Sequence, residues 1–318
     1  MGLVFKERPV KNIWLDESEL ESGDLVAQLQ LSGLDCLLMY GTGGKMGHIA
    51  SILKMDGITY VVESQDTGIQ KTPWRQWYEQ YKDDSTLIIS KLAPQYRKLY
   101  NESAAVELFK TLDGGEYGFN NIAYAWIDTE DNNYPTPLSG EMIGATFVLF
   151  SNWYASSAIE ILFLKGMNQR FQHYYGMKDK NCTDIACVFD TLNTLNVTIN
   201  YVLTLPELDG WLYDGKPQMV CSVMYMNLLK AAGVFGNLTH QFQSAEFTPK
   251  DVYQLDIWDK EWKRPAQCNA NNDNYPYCQV TGPWYWPIDD FSTIKPYSRM
   301  NERCGAEPMD YNRLPEFC

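Results

Sequence analysis

Gly47-His48-Ile49-Ala50-Ser51-Ile52-Leu53-Lys54-Met55-Asp56-Gly57-Ile58-Thr59-Tyr60-Val61-Val62-Glu63-Ser64 is the stretch on which the fold turns. It holds two short apolar runs, residues 48–53 and 58–62, the second rich in β-branched residues, and between them the turn Met55-Asp56-Gly57. Runs of this length and composition, bounded by turn residues, are strands. A two-stranded hairpin is therefore expected, with His48 opening one strand and Glu63 ending the other.

Working outward, Gly23-Asp24-Leu25-Val26 starts a further strand and residues 86–90 form another. Residues 73–81 and 104–111 read as helices, the latter ahead of the turn Asp113-Gly114-Gly115. The polar, turn-rich tract at 128–138 separates this β-rich front from a new helical pattern at 152–175. A clear later helix, residues 221–232, is closed by Gly233, where a left-handed residue commonly ends a helix. After Val252 the chain becomes dense in Trp, Tyr, Pro and Asn with little periodicity, which reads as an irregular covering layer. The fold class is α+β. The expected organisation is one domain over 1–255 with an insert at about 128–178, followed by a Cys-, Trp- and Tyr-rich extension over 256–318.

Composition supports an ordered core, since 45% of the 318 residues are hydrophobic and 10 Trp and 21 Tyr are available for burial. Twenty-six basic against 40 acidic residues give a net charge of −14, which repels nucleic acid and anionic lipid. The longest apolar run, residues 143–150, is far short of the roughly 20 residues that cross a bilayer. Residues 1–20 lack the apolar core and cleavage site of a signal peptide, and Lys6 stands where a myristoylation signal carries Ser or Thr.

The compartment is read from elsewhere. Sequons begin at Asn101, Asn181, Asn196 and Asn237, and Asn101, Asn196 and Asn237 are the expected glycosylation sites. Of the 8 cysteines, three pairs lie close in sequence: Cys182 with Cys187, Cys268 with Cys278, and Cys304 with Cys318. Short-range pairs of this kind suggest disulfides formed in an oxidising compartment, and a secreted or lumenal location is expected, extracellular or in a lysosome or vacuole. Reduced cytosolic thiols with chance sequons are the alternative.

Cys221 opens its helix, where unpaired backbone N–H groups stabilise a thiolate. A cysteine nucleophile also needs a base and a group that orients the base. Only three histidines exist, His48, His173 and His240. His48 follows the Gly41-Thr42-Gly43-Gly44 segment, read as a flexible loop, and Glu63 on the partner strand is within reach of its ring. Taken singly, each has a plainer role: a loop-edge histidine, a solvated strand end, a buried small hydrophobe.

Taken in order, these segments resemble the permuted papain-like amidases of the YiiX type, a circularly permuted branch of the NlpC cell-wall peptidases. Ser22-Gly23-Asp24-Leu25 is similar to that family's opening strand. Residues 47–53 and Tyr60-Val61-Val62-Glu63-Ser64 are similar to its His strand and following acidic strand, and 68–81, 87–90 and Gly115-Glu116-Tyr117-Gly118-Phe119 to its next helix, strand and turn. Met219-Val220-Cys221-Ser222, the closing Ala231-Ala232-Gly233-Val234 and Phe247-Thr248-Pro249-Lys250-Asp251-Val252 resemble its nucleophile segment and the stretch after it. The match covers about 20–125 and 178–255.

The resemblance implies a circularly permuted papain-like, NlpC-type fold, an antiparallel sheet packed on helices. It further implies Cys221 as nucleophile, His48 as base and Glu63 as orienter, because the permutation sets His and the acid before Cys. Three departures stand out: Val223 replaces a usual Glu, 128–175 has no counterpart in the family, and the tail after Val252 is extra. Cys182, in Asn181-Cys182-Thr183-Asp184, is a competing nucleophile unless bridged to Cys187. The expected function is a thiol-dependent amidase or peptidase acting on a peptide-like or acyl substrate, such as cell-wall peptide, with no cofactor and no metal. Nucleic-acid partners and a membrane span are not expected. A catalytically silent binding or structural module on the same scaffold is the alternative.

Overall fold

A six-stranded antiparallel sheet has the order β4-β3-β2-β1-β5-β8, from β1 (Leu25–Leu29), β2 (His48–Met55), β3 (Ile58–Gln65), β4 (Gly68–Pro73), β5 (Thr86–Ser90) and β8 (Cys278–Gln279). A parallel two-stranded ladder, β6 (Glu116–Tyr117) with β7 (Gln218–Met219), stands beside it. The chain is described here from a computed structural model covering residues 6–31, 33–119, 156–203, 205, 207–209, 211–213, 217–241 and 243–297. The tract at 128–138, the run at 143–150 and the Cys304 and Cys318 pair lie outside the described residues.

The expected hairpin is β2 with β3, Met55 facing Ile58. Its turn needs positive φ, supplied by Asp56 at 53° and Gly57 at 78°. Side chains alternate along each strand, and both sets are buried here. Leu25, Ala27, Ile49, Leu53, Val62 and Ile88 pack in one cluster, and Val26, Ala50, Ile52, Val61, Leu87 and Ile89 in another. The sheet is therefore covered on both faces, as the antiparallel-sheet-on-helices expectation requires.

The helices are α1 (Gly33–Thr42), α2 (Trp74–Tyr81), α3 (Pro94–Arg97), α4 (Glu102–Leu112), α5 (Ser156–Tyr174), α6 (Ile185–Leu195), α7 (Ile199–Leu203), α8 (Cys221–Ala231) and α9 (Pro249–Gln254). Phe109 of α4 and Met224 and Leu228 of α8 cover the first face; Trp74 and Trp77 of α2, with Leu15 and Leu20, cover the second. The Gly-Asp start of β1 has a structural reason. Gly23 has φ 85°, and buried Asp24 accepts from Lys91 Nζ at 2.6 Å and Arg97 at 2.5 Å.

Four differences from the sequence reading are informative. Gly41 and Thr42 belong to α1, with Thr42 Oγ1 donating to Leu38 O at 2.8 Å, so helix takes half of the expected loop and a turn from Gly43 leads to His48. Residues 68–73 pair with β3 as a strand before α2 begins, because Ile69 and its neighbours complete the register to Pro73 opposite Tyr60. The helical insert has its own core, in which Leu164, Met167 and Phe171 meet Cys182, Val188, Leu192, Val202 and Leu205, so it runs across residue 178.

The fourth difference concerns the residues after 255. Residues 256–297 are an integral part of the main core: Ile257, Trp258, Tyr277, Trp286, Ile288 and Phe291 share a cluster with Leu25 and Met224, and β8 pairs Gln279 with Ile88 of β5. Their lack of periodicity follows from how they are held. Polar atoms of the irregular backbone are satisfied by side chains, as where Tyr277 Oη donates to Trp286 O at 2.8 Å and accepts from Ile288 N at 2.9 Å.

Two of the expected disulfides are formed, Cys182–Cys187 and Cys268–Cys278. The second spans 10 residues and ends in β8. Closing such a loop restricts the unfolded chain by about 3 kcal/mol. Replacing both Cys268 and Cys278 by serine is expected to lower the urea-unfolding free energy by about that amount and to raise the m-value slightly, because the unfolded chain without the cross-link exposes more surface; no loss of free energy would mean that burial of β8 alone orders this region.

Candidate active site

The nucleophile candidate owes its position to both ends of α8. Leu, Met, Lys and Ala favour the helix. Its C-terminus is stopped by Gly233 at φ 78°, where Gly233 N–H bonds Lys230 O and Val234 N–H bonds Leu229 O, the paired arrangement that closes helices on glycine. At the N-terminus Val220 is the cap residue and offers no side-chain acceptor to the first-turn N–H groups. The approach is pinned one residue earlier: Met219 O accepts from Ser64 Oγ at 2.6 Å and from Gly118 N at 3.0 Å. Cys221 is thereby set at the head of a buried helix, 2% exposed.

His48 and Glu63 stand on adjacent strands. The register Ser51 opposite Val62 sets Ala50 opposite Glu63 one step on, so His48 and Glu63 share a face as diagonal neighbours. His48 Nε2 donates to Glu63 Oε2 at 3.0 Å, with Glu63 wholly buried. The other carboxylate oxygen, Oε1, accepts from Trp77 Nε1 at 2.9 Å and Gln70 Nε2 at 3.3 Å. A buried carboxylate is tolerable only when its oxygens are so occupied.

The Cys221 sulfur lies close enough to the His48 ring to act on its charge. Burial alone would depress the pKa of that ring, but Cys221 and, after it, Glu63 outweigh burial and hold it well above the ordinary histidine value. One imidazole thus bonds a buried carboxylate and lies beside a buried cysteine.

Three residues remote in sequence hold the turn that delivers His48. Tyr253 Oη accepts from Lys45 N at 3.0 Å, Trp286 Nε1 donates to Lys45 O at 2.9 Å, and Lys250 Nζ donates to Thr42 O at 3.1 Å. Gly47 N donates to Gln28 O at 3.2 Å, tying the same turn to β1. Sequence reading missed Gln70, Trp77, Tyr253 and Trp286. Only Trp77 carried a signal, as an indole on the strand-facing side of an amphipathic helix.

Other candidates lie elsewhere. His173 is exposed on α5, 5.8 Å between ring centroids from Trp211, and His240 is exposed after α8. Cys182 is bridged to Cys187, whereas Cys36, exposed on α1, and Cys221 are free. Asn101, Asn196 and Asn237 are all exposed; Asn101 Oδ1 caps α4 by accepting from Ala104 N, which leaves the amide nitrogen of its side chain outside the cap. Among the described residues no group of three or more His, Cys, Asp or Glu side chains is arranged to hold a metal ion, and no helix is long and apolar enough to cross a membrane.

No protein-family model matches the chain, and no curated protein matches it in sequence. Among solved structures it is similar to the metalloprotein yiiX from Escherichia coli O157:H7, with 17% sequence identity and a TM-score of 0.26. The alignment covers 42% of this chain and 66% of that one.

Proposed function

We propose that the chain is a thiol-dependent hydrolase of the permuted papain-like amidase type, with Cys221 as nucleophile, His48 as acid and base, and Glu63 as orienter. The observation that carries this reading is the single imidazole hydrogen-bonded to Glu63 with its pKa raised by the neighbouring Cys221. The chain order His48, Glu63, Cys221 and a cysteine at the head of a helix packed on the sheet support the permuted papain-like topology.

The steps follow from the groups present. The Cys221 thiol passes its proton to His48, which leaves a thiolate beside an imidazolium. The thiolate attacks an amide or ester carbonyl, and the N–H groups of α8 accommodate the oxyanion. His48 then gives its proton to the departing amine or alcohol, leaving a thioester. Water, losing a proton to His48, attacks that thioester and releases the acid and the Cys221 thiolate. The substrate class is a peptide-like amide or an acyl ester, with cell-wall peptide the leading amide. Two disulfides fit a secreted or lumenal setting.

Near-complete burial of Cys221 favours a second reading, a silent binding module whose cleft is closed. Alkylation with iodoacetamide separates the two. A working site labels Cys221 faster than the exposed thiol Cys36 at neutral pH; labelling of Cys36 with Cys221 spared supports the silent module.

The raised His48 pKa makes a second prediction. The protonated ring must reach the leaving amine, so kcat/KM on p-nitroanilides is expected to persist above the ordinary histidine value of about 6.5 and to fall only as pH passes the raised value. Stability has the same sign. The contribution of charged His48 is complete below its unfolded pKa and is lost as pH rises through the folded one. An alkaline limb at or below pH ~6.5 would contradict the ion pair.

A further inference from the structure

The hydrolase reading uses one carboxylate on His48, yet a second lies against the turn that carries it. Asp35, in the first turn of α1, packs on Gly47, the residue before His48. A Cβ placed at Gly47 would lie 2.5 Å from Asp35 Cβ and 2.6 Å from Asp35 Cα, so nothing larger than glycine fits between them. Asp35 Oδ2 accepts from Gln30 N at 2.9 Å, just past the end of β1, and Gly47 N donates to Gln28 O in the same strand. Asp35 and His48 are therefore fixed to one frame, the C-terminal end of β1.

We infer that Asp35 is a positioning residue for His48, a second carboxylate that holds the imidazolium in place from α1 while Glu63 binds the ring itself.

Charge supports what the packing suggests. Burial is the larger influence and leaves the Asp35 carboxyl raised, while the charge of His48, with the backbone bond from Gln30, pulls it part of the way down. His48 is the charged side chain acting on Asp35 among the described residues. The groups facing His48 are Cys221 from α8, Glu63 from β3 and Asp35 from α1. Tyr81 of α2 lies near Glu63, Asp66 and Asp35; burial raises its pKa, so it stays neutral in the relevant range. An anion beside an imidazolium favours the charged ring, so removing the anion must lower the pH at which His48 loses its proton.

The inference deepens the hydrolase reading, but its test does not need turnover. Asp35→Asn keeps an oxygen for Gln30 N–H and removes the charge. The His48 ring, followed by NMR across pH, is expected to titrate roughly 0.5–1 unit lower in Asp35→Asn than in the unsubstituted protein. Where p-nitroanilides are turned over, the alkaline limb of kcat/KM moves by the same amount with KM unchanged on the plateau. A folded variant with an unshifted His48 midpoint overturns the inference and leaves Asp35 a packing residue. Should Asp35→Asn fail to fold, the Asp35 carboxyl carbon of the unsubstituted protein decides: a step at the pH where His48 deprotonates supports the coupling, and a flat trace overturns it. A shifted midpoint in a protein without hydrolytic activity would sink the hydrolase reading alone.

Discussion

Cys221→Ala is expected to reduce hydrolysis by roughly 10⁴-fold or more, to the background of the uncatalysed ester, while the protein stays folded. No other described residue can replace the thiolate at that point. Cys182 is tied to Cys187 in the helical insert, and Cys36 is exposed on α1. The cost to stability is small because only one buried sulfur is lost, on the order of 1 kcal/mol, and α8 keeps its remaining core contacts through Met224, Tyr225 and Leu228. The melting temperature should therefore move by only about 2–4 °C. Mass spectrometry should at the same time show loss of the fast alkylation. Activity surviving in Cys221→Ala would remove the nucleophile and the hydrolase reading built on it.

Glu63→Gln is the second large effect, and its reason is one of proton placement. Glu63 has only acceptor oxygens facing its neighbours: Oε2 takes the His48 Nε2 proton, and Oε1 takes protons from Trp77 Nε1 and Gln70 Nε2. Glutamine has one carbonyl oxygen. If that oxygen faces Trp77, the amide NH₂ faces His48 and forces the ring to accept there, moving its proton to the nitrogen that should serve Cys221. If the amide flips, two N–H donors confront each other at Trp77. Either outcome loses the tautomer or a buried hydrogen bond, so kcat is expected to fall roughly 10³- to 10⁴-fold. Stability should drop by about 1–3 kcal/mol. KM should change little, because Glu63 is buried behind His48 and is not placed to touch substrate. An unchanged kcat would exclude Glu63 from the site.

Much of this arrangement was legible locally. The 48–65 hairpin announced itself through two apolar runs around Asp56-Gly57, and the helix from Cys221 through its length and its closing Gly233. These are short-range signals, set by steric limits at a turn and by the alternation of side chains on a strand. The residues that hold the site were not legible. Trp286 and Tyr253 reach Lys45 across more than 200 positions of chain, with separations of 241 and 208 residues, and no local pattern encodes such a meeting. The same limit explains why the region after residue 255 read as a covering layer, although it supplies the sixth strand and part of the main core.

By itself, then, the sequence determined the α+β class, the two halves of the central hairpin, the head of α8, the short-range Cys182–Cys187 and Cys268–Cys278 pairs and the three residues proposed for catalysis. Tertiary structure alone decided that one imidazole bonds Glu63 and lies beside Cys221, that both oxygens of Glu63 are engaged, and that Asp35 lies against Gly47. The physical reason is one of range. Backbone sterics and periodic burial act over a few residues and leave a mark in sequence, whereas the pairing of buried charges depends on which distant side chains the packed sheet and helices exclude from water together.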